Sequence, residues 1–354
     1  MLIGELQKAA KLVQLVSNVI SISDLFKCVE LSSTSLRACS EFGNVKYAIS
    51  MPEITAPKLV NTAAFFAVIN NLATSGEIHF KLTETHLEWK AGSAKGKWAF
   101  AAVDGTIPEI THTEFPWVPS EFFADALILA SGACQSATVS VGLYGMNIEP
   151  KDGKLRLVSS NMISLAIAYV GLDGYPKTDA ITVRPPIPRI LSTLIKTTTN
   201  GRLDVTDDGF YFTSDEVIAQ LPRSVPLEHD LDGVLSKFST AVDTIPISNA
   251  AIAQFLNRAK ALADKGVAPE ISFRITNGSI VLEQKGISNT SEEYFLAEGI
   301  DATKEFNSVV LPINLMVDAL KNVDEAILDY LPNNVLVLRG VAPEFMHIIG
   351  GKSV

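Results

Sequence analysis

The chain has 354 residues, 47% of them apolar and 19% charged, which is enough for a large core and excludes a disordered chain. No apolar run reaches the ~18 residues of a membrane-spanning helix, and the opening MLIGELQKAAKL carries charges inside an amphipathic pattern, unlike a signal peptide. A net charge of −10, taken alone, argues against a polyanionic partner.

In chain order, residues 5–19 place Leu6, Ala9, Ala10, Val13 and Val16 at helical spacing, and strand-like runs follow to Ile49. Pro57 opens a second predicted helix over 57–74, since proline's missing N–H costs nothing at a helix start. Two alternating strands around Glu84-Thr85 come next. Residues 120–134 repeat the helical pattern with Phe122, Phe123, Ala126, Leu127, Leu129 and Ala130. The stretch from Gly142 to Val170 then reads as a meander of strands, with Asp152-Gly153 supplying a tight hairpin turn. After Ile181 to Val183, Pro185-Pro186 lead into a helix over 186–199, followed by strands around Asp208-Gly209. A helix over 249–265 (Ile252, Phe255, Leu256, Ala259, Leu262), a hairpin at Asn277-Gly278, a helix over 313–323 and strands around Asn333-Asn334 complete the chain.

One unit therefore recurs three times: helix, strands, helix, strands. The repeat predicts an α+β chain of three tandem domains, 1–116, 117–243 and 244–354, each with two helices and about eight antiparallel strands. The six predicted helices carry nine basic and five acidic residues, a net +4 that leaves −14 for the rest of the chain. If the helices share one surface, that surface attracts a polyanion despite the acidic total. The bases are few and scattered, with no aromatic interleaving. This favours weak, sequence-independent attraction to a phosphate backbone over base reading or base stacking.

Catalytic patterns are missing. His79, His86, His112, His229 and His347 do not form a metal-ligand spacing, and no G-x-S-x-G elbow occurs. The run Gly92-Ser93-Ala94-Lys95-Gly96-Lys97 is one residue short of a phosphate loop, and Gly350-Gly351-Lys352-Ser353 has no room for the helix that must follow. Cys28, Cys39 and Cys134 suit neither a disulfide framework nor a zinc site and are expected to be buried thiols. No enzyme activity, metal or cofactor is expected.

The three-part pattern resembles the β sliding clamp, the processivity factor of bacterial DNA polymerase III. The resemblance spans all three thirds. It is strongest at GLYGMNIEPKDGKLRLVSSNMISLAIAYV and VRPPIPRILSTLI, with PINLMVDAL in the last third. It implies a DNA clamp fold and a head-to-tail homodimeric ring with helices around the hole. Such a ring encircles double-stranded DNA without sequence specificity and tethers a DNA polymerase, with a clamp loader as a further partner and no membrane association. The implied location is cytoplasmic, at the nucleoid. On this basis Lys8, Lys11, Lys58, Arg189, Lys196, Arg258, Lys260 and Lys321 are expected to face DNA. A partner-peptide pocket carries over to Leu143, Ser160, Met162, Leu165, Met346 and Ile348. Trp98 and Phe100 on one edge strand, and Ile271 and Phe273 on another, are expected at the dimer interface, because pairing removes an exposed edge.

Two departures stand out. Met162 and Ser164 replace the glycine and arginine usual in the family, and the tail Ile349-Gly350-Gly351-Lys352-Ser353-Val354 replaces its methionine-rich end. Both fall in the pocket, and such divergence would suit a viral member acting in a host cytoplasm. The alternative is a clamp-fold protein-binding module that does not encircle DNA; a hydrolase or transferase of other fold would need a convergent polar site that the sequence does not offer.

Overall fold

The structure, a computed structural model, describes residues 1–17, 23–103, 105–134, 145–160, 164–224, 231–236, 243–262, 269–277, 279–285, 290–296, 306–320, 325–331, 335–341, 344–350 and 352–353. The chain falls into two compact units. One comprises Met1–Glu121, Gly174–Lys177 and Ile190–Arg223; the other comprises Phe122–Asp173, Thr178–Arg189 and Ser224–Val354.

The elements run α1 (Ile3–Ser17), β1 (Cys28–Leu31), β2 (Ser35–Ser40), β3 (Gly43–Ala48), β4 (Lys58–Asn61), α2 (Thr62–Ile69), β5 (Ile78–Leu82), β6 (His86–Ala91) and β7 (Ala94–Ala99). They continue with α3 (Glu121–Ala130), β8 (Gly145–Lys151), β9 (Lys154–Ser160), β10 (Ser164–Gly171), β11 (Ile181–Val183), α4 (Ile187–Thr197), β12 (Arg202–Val205), β13 (Gly209–Thr213) and β14 (Val217–Pro222). Last come α5 (Leu231–Leu235), β15 (Asp243–Ser248), α6 (Asn249–Leu262), β16 (Glu270–Thr276), β17 (Ser279–Lys285), β18 (Thr290–Leu296), β19 (Phe306–Pro312), α7 (Ile313–Leu320), β20 (Glu325–Leu331), β21 (Val335–Val341), β22 (Glu344–Gly350) and β23 (Lys352–Ser353). Helix, four strands, helix, three strands thus recurs three times, and the fold is α+β with antiparallel sheets.

The sheets do not follow the repeat. In the first unit, β12-β13-β14-β3-β2-β1-β4 form one sheet and β5-β6-β7 another. In the second, β11-β8-β9-β10-β22-β21-β20-β15 form an eight-stranded sheet and β18-β17-β16-β19-β23 a five-stranded one. Strands of different repeats therefore pair directly, with Val45 in register with Ala219 and Leu165 with Ile348.

Local chemistry explains the elements. Leu6, Ala9, Ala10, Val13 and Val16 of α1 are fully buried, as their spacing requires. Gln7, on the same helix, donates from Nε2 to the carbonyls of Ile69 (2.9 Å) and Leu72 (2.8 Å), satisfying acceptors that the end of α2 leaves without intrahelical partners. The β8–β9 turn has Asp152 at φ 50° and Gly153 at φ 77°, the left-handed pair of a type I′ hairpin. In the first unit Arg37 is buried between Glu30 (3.2 Å) and Glu109 (2.7 Å) and donates to the carbonyls of Ile107 (2.9 Å) and Pro108 (2.5 Å). It fastens the segment after β7 to the sheet.

Two expectations are corrected. The second helix starts at Thr62 rather than Pro57, because the Asn61 side chain accepts from the Ala64 amide (3.1 Å) and caps it. Lys58 to Asn61 instead pair with β1. The five-residue α5 has no counterpart among the predicted helices; it is too short to show a period. No helix among the described residues is long and apolar enough to cross a membrane.

Candidate functional site

Side chains alternate across a strand, so residues paired in register share a face. On one face of the eight-stranded sheet this brings together Ser160 and Val158 of β9, Leu165, Ile167 and Tyr169 of β10, and Met346 and Ile348 of β22: Leu165 is registered with both Ser160 and Ile348, and Ile167 with both Val158 and Met346. Of the expected pocket residues, Ser160, Leu165, Met346 and Ile348 are therefore neighbours; Leu143 and Met162 lie outside the described residues. Val158, Leu165, Ile167, Val337 and Ile348 form a buried cluster, with Tyr169, Val335, Met346 and Leu235 packed around it.

The same face turns polar along β8 and β9. Arg156, itself buried, donates from Nε to Glu149 (2.8 Å) and from Nη1 to Asp232 of α5 (2.5 Å). The Lys151 amine donates to the other Asp232 oxygen (2.6 Å). These hydrogen bonds, with Lys151 first, hold the Asp232 carboxyl down to about 2. Asp232 and Leu235 were missed by sequence reasoning, because one turn of helix carries no recognisable pattern.

The expected DNA-facing bases divide into groups. Lys8 and Lys11 are exposed on α1, Arg189 and Lys196 on α4, and Arg258 and Lys260 on α6. Lys58 is on β4 rather than on a helix, and its amine lies 4.9 Å from the centre of the Phe100 ring. Lys321 lies outside the described residues. Lys8 is ion-paired with Glu216 and Arg258 with Glu293, and Arg189 and Lys196 are not free either. The Glu216 hydrogen bond raises the Lys8 pKa, and that same bond lowers the Glu216 pKa.

The expected seam needs correction. β7 does end its three-stranded sheet, but Ala94, Gly96 and Trp98 share its inner face. Trp98 is only 5% exposed, with its ring centre 5.2 Å from that of Phe65 and 5.7 Å from that of Trp89. Phe100 bridges to Val60. β16 is not an edge at all: it lies between β17 and β19, and Ile271 and Phe273 are core residues, each 1% exposed. An interior strand and an edge strand alternate alike, so the sequence did not distinguish them. Among the described residues the edge on that side of the five-stranded sheet is β18, which carries Glu292 and Glu293. The outer face of β5-β6-β7 carries Lys81, Lys90, Lys95 and Lys97, with Glu88 as its acid. Sequence counting had placed the basic excess on the helices and missed this sheet.

Among the described residues no three His, Cys, Asp or Glu side chains stand together to hold a metal. Cys28, Cys39 and Cys134 are buried free thiols, and burial pushes Cys134 up to about 12.

No family model and no curated protein matches the sequence. Among solved structures the chain is similar, over nearly its whole length, to the β sliding clamp of Caulobacter crescentus (TM-score 0.79, 14% identity, 99% of this chain and 96% of that one). It is similar in the same way to the DNA polymerase β subunit of Streptococcus pyogenes (0.78, 14%, 100% and 99%) and to the sliding clamp of Bacillus subtilis (0.77, 14%, 100% and 98%). The chain has the DNA clamp fold of these proteins, and the resemblance carried by its sequence pattern is borne out at the level of the fold.

Proposed function

We propose that the chain is the subunit of a DNA sliding clamp. Two copies close head to tail into a ring around duplex DNA, and the ring tethers a replicative polymerase after a clamp loader has placed it. The chain has no catalytic role and acts in the cytoplasm, at the DNA. The observation that carries this reading is the full-length match to sliding clamps, at TM-scores of 0.77 to 0.79. The exposed bases on α1, α4 and α6 support it, since a sliding ring needs weak attraction spread over many phosphates.

Ring closure is proposed between the β7 edge of one copy and the β18 edge of the other. Both end their sheets among the described residues, as strand edges that pairing would cover; Glu292 and Glu293 of β18 are already paired with Arg274 and Arg258, so the proposed seam rests on backbone pairing rather than on those charges. Docking of extended peptides with apolar anchors is proposed at Ser160, Leu165, Met346 and Ile348; Leu143 and Met162 of the expected pocket lie outside the described residues. A small contact of this kind binds at roughly micromolar affinity.

The decisive experiment combines native mass with topology. The expected result is a mass of two chains and retention on circular duplex DNA that is lost when the circle is linearised. Reversing Lys8, Lys11, Arg189, Lys196, Arg258 and Lys260 to Glu should abolish retention while the dimer persists. A single chain that leaves circular and linear DNA alike would establish the clamp-fold binding module instead.

A further inference from the structure

Asp232 and Leu235 are three residues apart on α5 and so lie on the same side of its single turn. Asp232 reaches the polar end of the docking face, bridging Lys151 (2.6 Å) and Arg156 (2.5 Å). Leu235 reaches the apolar end and packs on the cluster of Val158, Leu165, Ile167, Val337 and Ile348. Every other described member of that cluster belongs to β9, β10, β21 or β22; Leu235 alone comes from outside the sheet.

Leu165 is 5% exposed and Ile348 3%. An incoming apolar side chain cannot contact residues so nearly sealed unless something moves aside. Sheet strands held on both flanks move at high cost. A five-residue helix is too short to be stable by itself, and of its described side chains Asp232 and Leu235 fasten it to the sheet. One of them is a half-exposed carboxylate, whose ion pairs contribute little and are screened by salt.

We propose that α5 is a latch over the docking face, with Asp232 as the positioning residue that keeps Leu235 on the cluster until a peptide's apolar side chain replaces it. This rests on the docking role proposed above. It makes a prediction of opposite sign to the alternative, in which α5 is a fixed wall that the peptide packs against. A latch competes with the ligand, so loosening it tightens binding. A wall supports the ligand, so loosening it weakens binding.

The probe is a fluorescein-labelled peptide from the C-terminal tail of the cognate replicative polymerase, titrated by anisotropy against the full chain, Asp232→Asn and Leu235→Ala. Emission of the apolar dye anilinonaphthalene sulfonate is followed in parallel. Both variants should bind the peptide about fivefold tighter, the equivalent of losing one partly exposed ion pair or a little more, and both should raise dye emission. Raising salt from about 50 to about 500 mM should tighten binding to the parent and leave Asp232→Asn unchanged, a response that a passive scaffold does not give. If both variants bind the peptide equally or more weakly, the latch is overturned. If the parent does not bind the peptide, the docking role fails, and the dye alone decides the latch: unchanged emission in both variants overturns it, and raised emission supports it.

Discussion

His347 offers a sharp test of the packing beneath the proposed docking face. It lies on β22 between Met346 and Ile348 and points to the opposite side, registered with Leu338 and Ala166. It is 1% exposed, and its Nε2 has no hydrogen-bond partner among the described residues. Desolvation holds its pKa near 4 against an ordinary 6.5. A base with a lowered folded pKa protonates first in the unfolded chain. Stability is therefore intact above about pH 6.5 and is lost as the pH falls towards 4. The gap of about 2.5 units limits the loss to ~3.4 kcal/mol, of which ~2 kcal/mol is lost by pH 5 and only ~0.2 kcal/mol at pH 7. Hydrogen exchange of residues 344–350, corrected for the intrinsic pH dependence of exchange, reads the opening free energy of β22. In the parent that free energy should fall by ~2 kcal/mol from pH 7 to pH 5, and in His347→Leu it should change by less than ~0.5 kcal/mol. Trp89, Trp98 and Trp117 all lie in the first unit, so tryptophan fluorescence serves as a control that His347→Leu should leave unmoved. An equal fall in parent and variant would refute the assignment of this pH dependence to His347.

Arg37→Met leaves Glu30 buried without its partner and should cost ~3–5 kcal/mol, seen as a lower melting temperature of the first unit; an unchanged melt would mean the pair is replaceable there. Gly96→Val places a Cβ 2.6 Å from Cζ2 of Trp89, so the ring must leave its stack on Trp98 at ~1–3 kcal/mol. A red-shifted tryptophan emission should report the movement, and an unshifted spectrum would contradict it. Glu216→Gln frees the Lys8 amine, which should steepen the salt dependence of DNA binding by about 0.9 in log–log slope for each freed charge. An unchanged slope would place Lys8 away from DNA.

Much of the fold was legible because it is local. The period of α1 named its buried residues, and Asp152-Gly153 named its turn through the positive φ values that only such residues adopt readily. The start of α2 was misjudged because two start signals compete within five residues, and the Asn61 cap won over Pro57. The joining of β10 to β22 and of β3 to β14 was not legible. Those registers unite segments 170 or more residues apart, and alternation states which face a side chain takes but not which strand lies beside it. The same limit explains β16. Its alternation describes a strand with one buried face, which holds for the middle of a sheet as well as for an edge.

The candidate interfaces were legible in identity and not in state. Counting charges on predicted helices singled out Lys8 and Arg258, but only the structure shows that each is already bound to a carboxylate. A base that must leave a protein carboxylate to meet a phosphate exchanges one partner for another, so its net attraction to DNA is smaller than that of a solvated lysine. Lys11 and Lys260 are exposed as well. For the proposed ring, which would have to hold a duplex yet slide along it, ion-paired bases such as Lys8 and Arg258 would limit the total grip without removing the field that draws DNA in. Under the proposed function the acidic remainder of the chain takes part in sliding: Glu216 and Glu293 would temper the hold of Lys8 and Arg258 on a DNA backbone, and the net charge of −10 is compatible with an anionic partner because exposed bases lie on α1, α4 and α6.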